Sequence, residues 1–133
     1  MKLALSIILF SFMSTPQGFN DRRIIVIVSS EQNLEIQNQI DLLEKNSMEL
    51  EKRRLAVYTI IDGKVEPIIN PSERSEKFLN DNKSDYSATL NPKTYLIGLD
   101  KSVKQTFTDF IQPQQIFNLV DRMPMRQAEM RRN

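Results

Sequence analysis

Five consecutive β-branched residues near the start of the chain constrain its fold more than any other feature. They run from Ile24 to Val28, between Arg22-Arg23 and Ser29-Ser30. A strand with one solvent-facing side alternates apolar and polar residues. An uninterrupted β-branched run is instead typical of a central strand in a parallel sheet, buried on both faces. The run therefore indicates an α/β fold.

The segment after this strand has the periodicity of a helix. Ser30 is a suitable N-cap, and Glu31 and Glu35 would complement the helix dipole in the first turns. Apolar residues then recur at spacings of 4, 3 and 7, at Ile36, Ile40, Leu43 and Leu50. This pattern predicts one long helix over residues 31–52 with a single apolar face.

The second half of a βαβ unit follows this helix. Residues 55–61 read Leu-Ala-Val-Tyr-Thr-Ile-Ile and predict a second strand. A strand, a crossover helix and a second strand form a unit that is almost always right-handed. Asp62-Gly63 predicts a tight turn into a short strand over residues 64–69.

The remaining segments complete a recognisable order of elements. They predict a short helix started by Pro71-Ser72, a loop over 80–93, strands over 94–99 and 103–107, and a helix from Pro113. Pro124 must stop or kink that helix, and a second short helix follows it. The order β-α-β, short α, β-hairpin, α is that of the thioredoxin fold. We therefore predict an α/β, thioredoxin-like fold with a central mixed β-sheet flanked by helices.

The first 18 residues have the order of a secretory signal peptide. Lys2 precedes an apolar run from Leu3 to Met13, and small or helix-breaking residues follow up to Gly18. The run is about half of the roughly 20 residues that a membrane-spanning helix needs. We predict that residues 1–18 are removed on export and that residues 19–133 form one periplasmic or secreted domain. The alternative is a strand or helix buried in that domain.

The composition excludes several chemistries. The chain has no Cys and no His, which excludes thiol–disulfide exchange, cysteine peroxidase chemistry, imidazole catalysis and the usual zinc sites. Removal of residues 1–18 takes away only the charge of Lys2, which leaves 17 basic and 17 acidic residues. Such a neutral domain has no general attraction for nucleic acid or anionic lipid. We therefore expect no metal, no cofactor, no nucleic-acid partner and no stable membrane insertion after signal cleavage.

The C-terminal string Leu119-Val-Asp-Arg-Met-Pro-Met-Arg-Gln-Ala-Glu-Met-Arg131 resembles the closing motif of a bacterial family. That motif reads Ile or Val, then Asp-x-Met-Pro-Met-Arg, and later Glu-Met-Arg. The first strand from Arg22 to Val28 and the segment from Leu96 to Lys104 also resemble the family pattern. The resemblance covers residues 20–131. On these residues the chain is identified as a member of the P-DUDES family, peroxiredoxin-like domains without the redox cysteines (the domain of unknown function 4174 family).

This resemblance implies a thioredoxin-like fold and a secretory signal, and it implies no particular activity. Animal relatives occur as domains of secreted, matrix-associated proteins with sushi repeats. The chain departs from the family pattern at one turn, which is usually rich in Gly and reads Leu99-Asp-Lys-Ser102 here. The resemblance therefore leaves the shape of this hairpin open.

The C-terminal segment is the first candidate site. Met adapts to irregular contact surfaces and Arg is favoured at interfaces, so the segment predicts a docking surface for a protein partner or an acidic ligand. Its candidate binding residues are Arg122, Met123, Met125, Arg126, Glu129, Met130 and Arg131. The alternative is structural, with the Met side chains packed on the sheet and with Asp121 and Glu129 paired to the arginines.

The junction after the first strand is the second candidate site. A thioredoxin has its Cys-x-x-Cys here, at a helix N-terminus that stabilises a thiolate, and this chain has Ser29 and Ser30 at the degenerate redox-turn position. An exogenous thiolate could bind there, although Glu31 opposes it; the alternative is a simple N-cap. Pro92 is a candidate for the cis-proline that faces this turn, with a trans turn proline as the alternative.

These features together predict an exported, cysteine-free thioredoxin-like domain that acts as a non-catalytic binding or scaffold module of the cell envelope. Its expected partner is an envelope or extracellular protein. The alternative is an enzyme that acts on or with an exogenous thiol at the Ser29-Ser30 and Pro92 face. Ligand identity, oligomeric state and the cleavage site stay open at this level.

Overall fold

The computed structural model describes residues 21–86 and 89–132. The predicted signal peptide at residues 1–18 lies outside this part of the chain. The helices are α1 (Leu34–Glu44), α2 (Ser47–Lys52), α3 (Glu73–Asn82), α4 (Pro113–Asp121) and α5 (Pro124–Arg132). The strands are β1 (Arg23–Ser29), β2 (Leu55–Ile61), β3 (Lys64–Ile69), β4 (Lys93–Ile97) and β5 (Val103–Phe107). None of the described helices is long and apolar enough to cross a membrane.

The five strands form one mixed sheet in the order β3-β2-β1-β4-β5. Strand β1 pairs in parallel with β2 and antiparallel with β4, and the two hairpins place β3 and β5 at the edges. Every residue of β1 is buried, as its unbroken β-branched run predicts. The predicted α/β fold with a central mixed sheet is confirmed, and the arrangement is compatible with a thioredoxin-like fold.

The helices cover both faces of the sheet and so create two apolar clusters. On one face, Ile25 and Ile27 of β1 pack with residues of α1, α2 and α4, among them Leu43, Leu50 and Phe117. On the other face, the alternate residues of β1 pack with Leu79 of α3 and Tyr86. Because successive side chains of a strand point to opposite faces, β1 contributes to both clusters.

The structure corrects the prediction of one long helix over residues 31–52. Helix α1 ends at Glu44 and α2 begins at Ser47. The Asn46 side-chain amide donates to the Leu42 carbonyl oxygen at 2.9 Å, and such a bond competes with helix propagation. Leu43 and Leu50 lie on either side of this break, and both are buried in the same core cluster.

The start of α1 also differs from the prediction. The N-cap is Asn33, whose Oδ1 accepts a hydrogen bond from the Ile36 N–H at 2.9 Å. Ser30 is therefore not the N-cap, and a short non-helical segment separates it from α1. Asn is among the residues preferred at this position because its short side chain reaches the free N–H groups of the first turn.

Two tight turns close the hairpins. Asp62 and Gly63 have φ values of 52° and 74°, as a type I′ turn requires. The turn between β4 and β5 closes without additional glycines, because Lys101 adopts the left-handed conformation with φ 68°. Asp100 Oδ1 accepts hydrogen bonds from the N–H and the hydroxyl of Ser102, at 3.0 and 2.7 Å, and fixes this turn. The departure from the Gly-rich pattern thus leaves the hairpin intact.

Candidate functional site

A cluster of ionic side chains attaches helix α5 to the rest of the protein. We call it the ionic network, and its members are Arg23, Arg53, Arg54, Asp121, Arg126 and Glu129. Glu129 lies at its centre and pairs with Arg23 at 3.1 Å, with Arg126 at 3.4 Å and with Arg54 at 3.5 Å. The Arg23 and Glu129 side chains are only 1% and 10% exposed. A single carboxylate therefore neutralises part of the charge of three arginines in a largely buried position.

Asp121 extends the network to helix α4. It pairs with Arg53 at 3.0 Å and with Arg126 at 3.3 Å. Arg126 also donates to the Lys52 carbonyl oxygen at 3.0 Å, which ties α5 to the end of α2. Arg126 is the one buried residue of α5, so this helix is held mainly by ionic contacts and not by an apolar face.

The ionic network divides the predicted docking residues into two groups. Arg126 and Glu129 point inward and pair with each other, as the structural alternative expects. Glu129 also accepts hydrogen bonds from Arg23 of β1 and from Arg54 in the turn before β2. Met123 is half-buried and packs against the core. The other predicted docking residues have exposed side chains; they are Arg122, Met125, Met130 and Arg131. A contact surface on this tail would therefore be built from the second group.

Asp121 makes the stability that the ionic network provides depend on pH. Burial by itself raises the pKa of Asp121, but the hydrogen bonds and charges of Arg53 and Arg126 outweigh burial, and the pKa lies below its ordinary value. A carboxylate with a lowered pKa in the folded state binds fewer protons than in the unfolded state. Its contribution to stability is therefore present above the unfolded pKa and is lost as the pH falls through the folded pKa.

This shift predicts how an Asp121→Asn variant responds to acid. Above about pH 4, the ordinary range for Asp, the variant is expected to be less stable than the wild type, because Arg53 and Arg126 lose their partner. As the pH falls further, the wild type loses the same contribution and the two stability curves converge. Urea unfolding measured between pH 7 and pH 2.5 tests this. A difference that stayed constant over the whole range would contradict the ionic role of Asp121.

A cleft lies beside the exposed part of the tail. It has a volume of about 550 Å³ and separates the β4–β5 turn from the junction of α4 and α5. We call it the tail cleft, and its lining residues are Arg23, Gly98, Leu99, Asp100, Lys104, Leu119, Arg122, Met123, Pro124 and Met125. Most of the lining is apolar. The N-terminus of α5, which carries a partial positive charge, is part of this wall.

Three of the four charged residues in the tail cleft are already paired. Lys104 contacts Asp100 at 2.9 Å, and Arg23 is bound to Glu129. The hydrogen bonds from Lys104 and then from Ser102 hold the pKa of Asp100 well below its usual range, so this carboxylate is ionised. Within residues 21–86 and 89–132, no carboxylate pairs with Arg122. The rim of the tail cleft therefore has one uncompensated positive charge.

The tail cleft brings together two separate parts of the sequence. One wall comes from the segment Leu96 to Lys104 and the other from the string Leu119 to Arg131, the same two segments that carry the family resemblance. A Cβ at Gly98 would lie 2.6 Å from Lys104 Cε, so a larger residue there would displace the Lys104 side chain from its present position on the wall. Sequence reasoning found both segments but gave no signal that they meet. It also did not identify Leu99, Asp100 or Lys104 as site residues.

The Ser29-Ser30 and Pro92 face lies at the C-terminal end of β1, and the tail cleft lies at the opposite end of that strand. Val28 pairs with Lys93 in the antiparallel β1–β4 ladder, so Pro92 does lie close to the end of β1, as predicted. Ser29 Oγ donates to the carbonyl oxygen of Glu31 at 2.9 Å. The described residues contain no cis peptide bond, so Pro92 is a trans proline and the cis alternative is not realised.

The surroundings of this face do not suit an anion. A cavity of about 510 Å³ is lined by Glu35, Thr89, Asn91, Pro92, Lys93, Thr108 and Asp109. Two carboxylates and one ammonium group line it, which opposes the binding of a thiolate. Helix α1 begins at Leu34, so its N-terminus is not at Ser30. The Ser30 hydroxyl is buried and has no hydrogen-bond partner among residues 21–86 and 89–132.

Metal binding finds no support in the part of the chain that the structure describes. No group of three or more Asp and Glu side chains lies close enough together there to hold an ion. The carboxylates of the ionic network are held by arginines instead. Asp121 and Glu129 are therefore structural partners of cations that the protein itself provides.

Comparisons with known proteins agree with the resemblance. The chain matches the model of a domain of unknown function, DUF4174, over residues 17–129. A comparison with curated proteins finds no match. The matched region contains all five strands, helices α1 to α4 and α5 up to Glu129, and so includes both walls of the tail cleft. The chain therefore belongs to the DUF4174 family of domains of unknown function.

Proposed function

We propose that this protein is an exported, non-catalytic binding module of the cell envelope that holds its ligand in the tail cleft. The observation that carries the proposal is the cleft itself, with a volume of about 550 Å³, an apolar wall and, at the rim, Arg122, which has no carboxylate partner among the described residues. Small-molecule sites typically have volumes of roughly 300–1,000 Å³ and combine apolar walls with a few polar groups. The tail cleft has both properties.

A binding role fits the chemistry of the side chains. The chain has no Cys or His, the residues most often used as a thiolate nucleophile or a general base at neutral pH. Asp100 and Lys104 of the cleft are paired with each other at 2.9 Å and their charges offset one another. This arrangement supports recognition of a ligand and provides no activated group for its conversion.

Export and a partner in the envelope are part of the same proposal. Export is supported by the order of residues 1–18, in which Lys2 precedes an apolar run and small residues follow. The exposed side chains of Met125, Met130 and Arg131 extend the binding surface beyond the cleft. An envelope or extracellular protein that docks on this surface is the partner that the sequence predicts.

The second candidate, an enzyme that uses an exogenous thiol at the Ser29-Ser30 face, has less support. Its premise is a helix N-terminus at Ser30, and α1 is capped by Asn33 instead. The neighbouring cavity carries Glu35 and Asp109, which would raise the pKa of a bound thiol and disfavour the thiolate. The tail cleft lacks such a negative charge, apart from the neutralised Asp100.

Site-specific photo-crosslinking in cells tests the proposal. A photo-reactive residue is introduced at Met125, on the cleft, or at Met48, an equally accessible control on α2, the two side chains being 60% and 76% exposed. We expect a crosslinked component at position 125 and not at position 48. An added Arg122→Glu change should abolish the crosslink, and Arg74→Glu, at an exposed arginine of α3 outside the tail cleft, should not. Equal crosslinking at both positions would contradict a site in the tail cleft.

Export is tested separately on the protein isolated from the envelope fraction. The intact mass and the N-terminal peptide should show loss of residues 1–18, with Phe19 as the first residue. A chain that retained Met1 and stayed in the cytoplasmic fraction would contradict export. The binding role would not be affected by that result, because the crosslinking experiment tests it separately.

A further inference from the structure

We infer that the tail cleft binds a single-chain alkyl carboxylate, with the alkyl chain against its apolar wall and the carboxylate at Arg122. This inference rests on the proposed function and names the class of ligand. It is carried by three properties of the cleft: its charge, the chemistry of its wall and its size. None of them was visible in the sequence, because the two walls are far apart along the chain.

The charge of the rim favours one negative charge on the ligand. Asp100 and Lys104 pair at 2.9 Å, and Arg23 is held by Glu129 at 3.1 Å, so neither pair attracts an additional ion. Arg122 is exposed and has no acidic partner in the part of the chain that the structure describes. A carboxylate carries a single charge and accepts two parallel hydrogen bonds from a guanidinium group. A phosphate monoester, with a charge of about −1.5 to −2 at neutral pH, would be only partly neutralised.

The chemistry of the wall favours an apolar chain. The side chains of Leu99, Leu119, Met123 and Met125 offer no hydrogen-bond donors, and Pro124 lacks a backbone N–H. A polar group on the buried part of a ligand would lose its hydrogen bonds to water without replacement. Methionine side chains are flexible, so they can follow a flexible alkyl chain more closely than a rigid wall could.

The size of the cleft favours a small ligand over a folded partner. A stable protein interface usually buries well over roughly 1,000 Å² in total, and the cleft is bordered by the charged side chains of Arg122 and Lys104. A concave space of about 550 Å³ instead has the dimensions of a small-molecule site. We therefore propose a free long-chain carboxylate as the ligand of the cleft. The test below also shows whether a protein binds there instead.

Methionine-methyl NMR tests the inference. The protein is purified in the form that the cell processes, and dodecanoate is added at concentrations at which it stays monomeric. The methyl groups of Met123 and Met125 lie on the cleft, and the exposed Met48 on α2 serves as an internal control. We expect dodecanoate to shift the first two signals and to leave Met48 unchanged. From octanoate to dodecanoate, affinity should rise about fourfold per methylene, as burial of each group predicts. Butyrate should not bind.

Two matched variants separate the role of charge from general hydrophobic binding. Arg122→Gln should weaken dodecanoate binding about tenfold, as expected for loss of a charged hydrogen bond. Arg74→Gln removes an exposed arginine on α3, outside the tail cleft, and should leave the affinity unchanged. Dodecyltrimethylammonium, which has the same chain and the opposite charge, should not shift Met123 or Met125. Binding of this cation as tight as that of dodecanoate would overturn the inference.

Other outcomes distinguish the inference from the proposed function. Binding to phosphatidylglycerol vesicles without binding to monomeric dodecanoate would overturn the free carboxylate as ligand. Absence of dodecanoate shifts, with a persistent Arg122-dependent crosslink to a protein at position 125, would overturn the inference and keep the binding module. Absence of both would overturn the inference and the proposed function together.

Discussion

Replacement of Glu129 by Gln is expected to lower the free energy of unfolding by about 3–5 kcal/mol, because one partner of a buried ionic cluster is removed. Glu129 is the shared partner of Arg23, Arg54 and Arg126. Gln keeps the size of the side chain, so the change isolates its charge. For a domain of this size the midpoint of thermal unfolding should fall by on the order of 10 °C, which calorimetry or circular dichroism would measure.

The control for this prediction is Glu51→Gln. Glu51 pairs with Arg22 at 3.0 Å, but its side chain is 53% exposed, and such pairs contribute at most about 1 kcal/mol. If Glu129→Gln were as mild as Glu51→Gln, the ionic network would not be what holds α5. Because the Met125 and Pro124 end of α5 forms one wall of the tail cleft, the Glu129 variant should also weaken ligand binding. If α5 were unfolded in the Glu129 variant and the ligand affinity were unchanged, the link between α5 and the tail cleft would be contradicted.

Replacement of Gln39 by Met is expected to lower the free energy of unfolding by about 2–6 kcal/mol, since two buried backbone groups lose their partners at about 1–3 kcal/mol each. Gln39 is 5% exposed. Its amide accepts a hydrogen bond from the Ile111 N–H at 2.8 Å and donates to the Ile111 carbonyl oxygen at 2.9 Å. This clamp fixes the loop that leads into α4. Urea unfolding of the variant measures the loss.

Gln37→Met in the same helix is the matched control. Gln37 is exposed and its side-chain amide donates to Asp41 Oδ1 at 2.9 Å, so its replacement should change the stability by no more than about 0.5 kcal/mol. Equal effects of the two substitutions would show that helix propensity, and not the clamp on Ile111, determines the result. A loss confined to Gln39→Met would assign it to the two buried backbone groups.

The architecture was predictable because its strongest signals are local. The run from Ile24 to Val28 can be buried on both sides only at the centre of a sheet, and the structure places it there. Asp62-Gly63 predicted its hairpin because few residue pairs adopt positive φ twice in succession. The division of the first helix was not predictable from apolar spacing, since it depends on one side-chain hydrogen bond from Asn46.

The site was predictable only in part, because identical residue types in the tail have different roles. Arg122 and Arg126 are both arginines on a short polar segment, and the sequence gave no reason to separate them. In the structure Arg126 turns toward Asp121 and Glu129, whereas Arg122 lies at the rim of the tail cleft. Glu129 pairs with Arg23, which is 106 residues away along the chain. No local pattern encodes a contact at that separation.

The sequence by itself thus determined the sheet, the two covered faces, the absence of thiol and imidazole chemistry and the family. The first three follow from composition or from periodicity within about 20 residues, and the family follows from the resemblance of motifs spread over residues 20–131. Only the tertiary structure decided that α5 is held by ions, that Asn33 caps the first helix and that the β4–β5 turn and the α4–α5 junction enclose a cleft. These features depend on which distant segments meet, because charge pairing and cavity shape are properties of three-dimensional contacts and not of residue order.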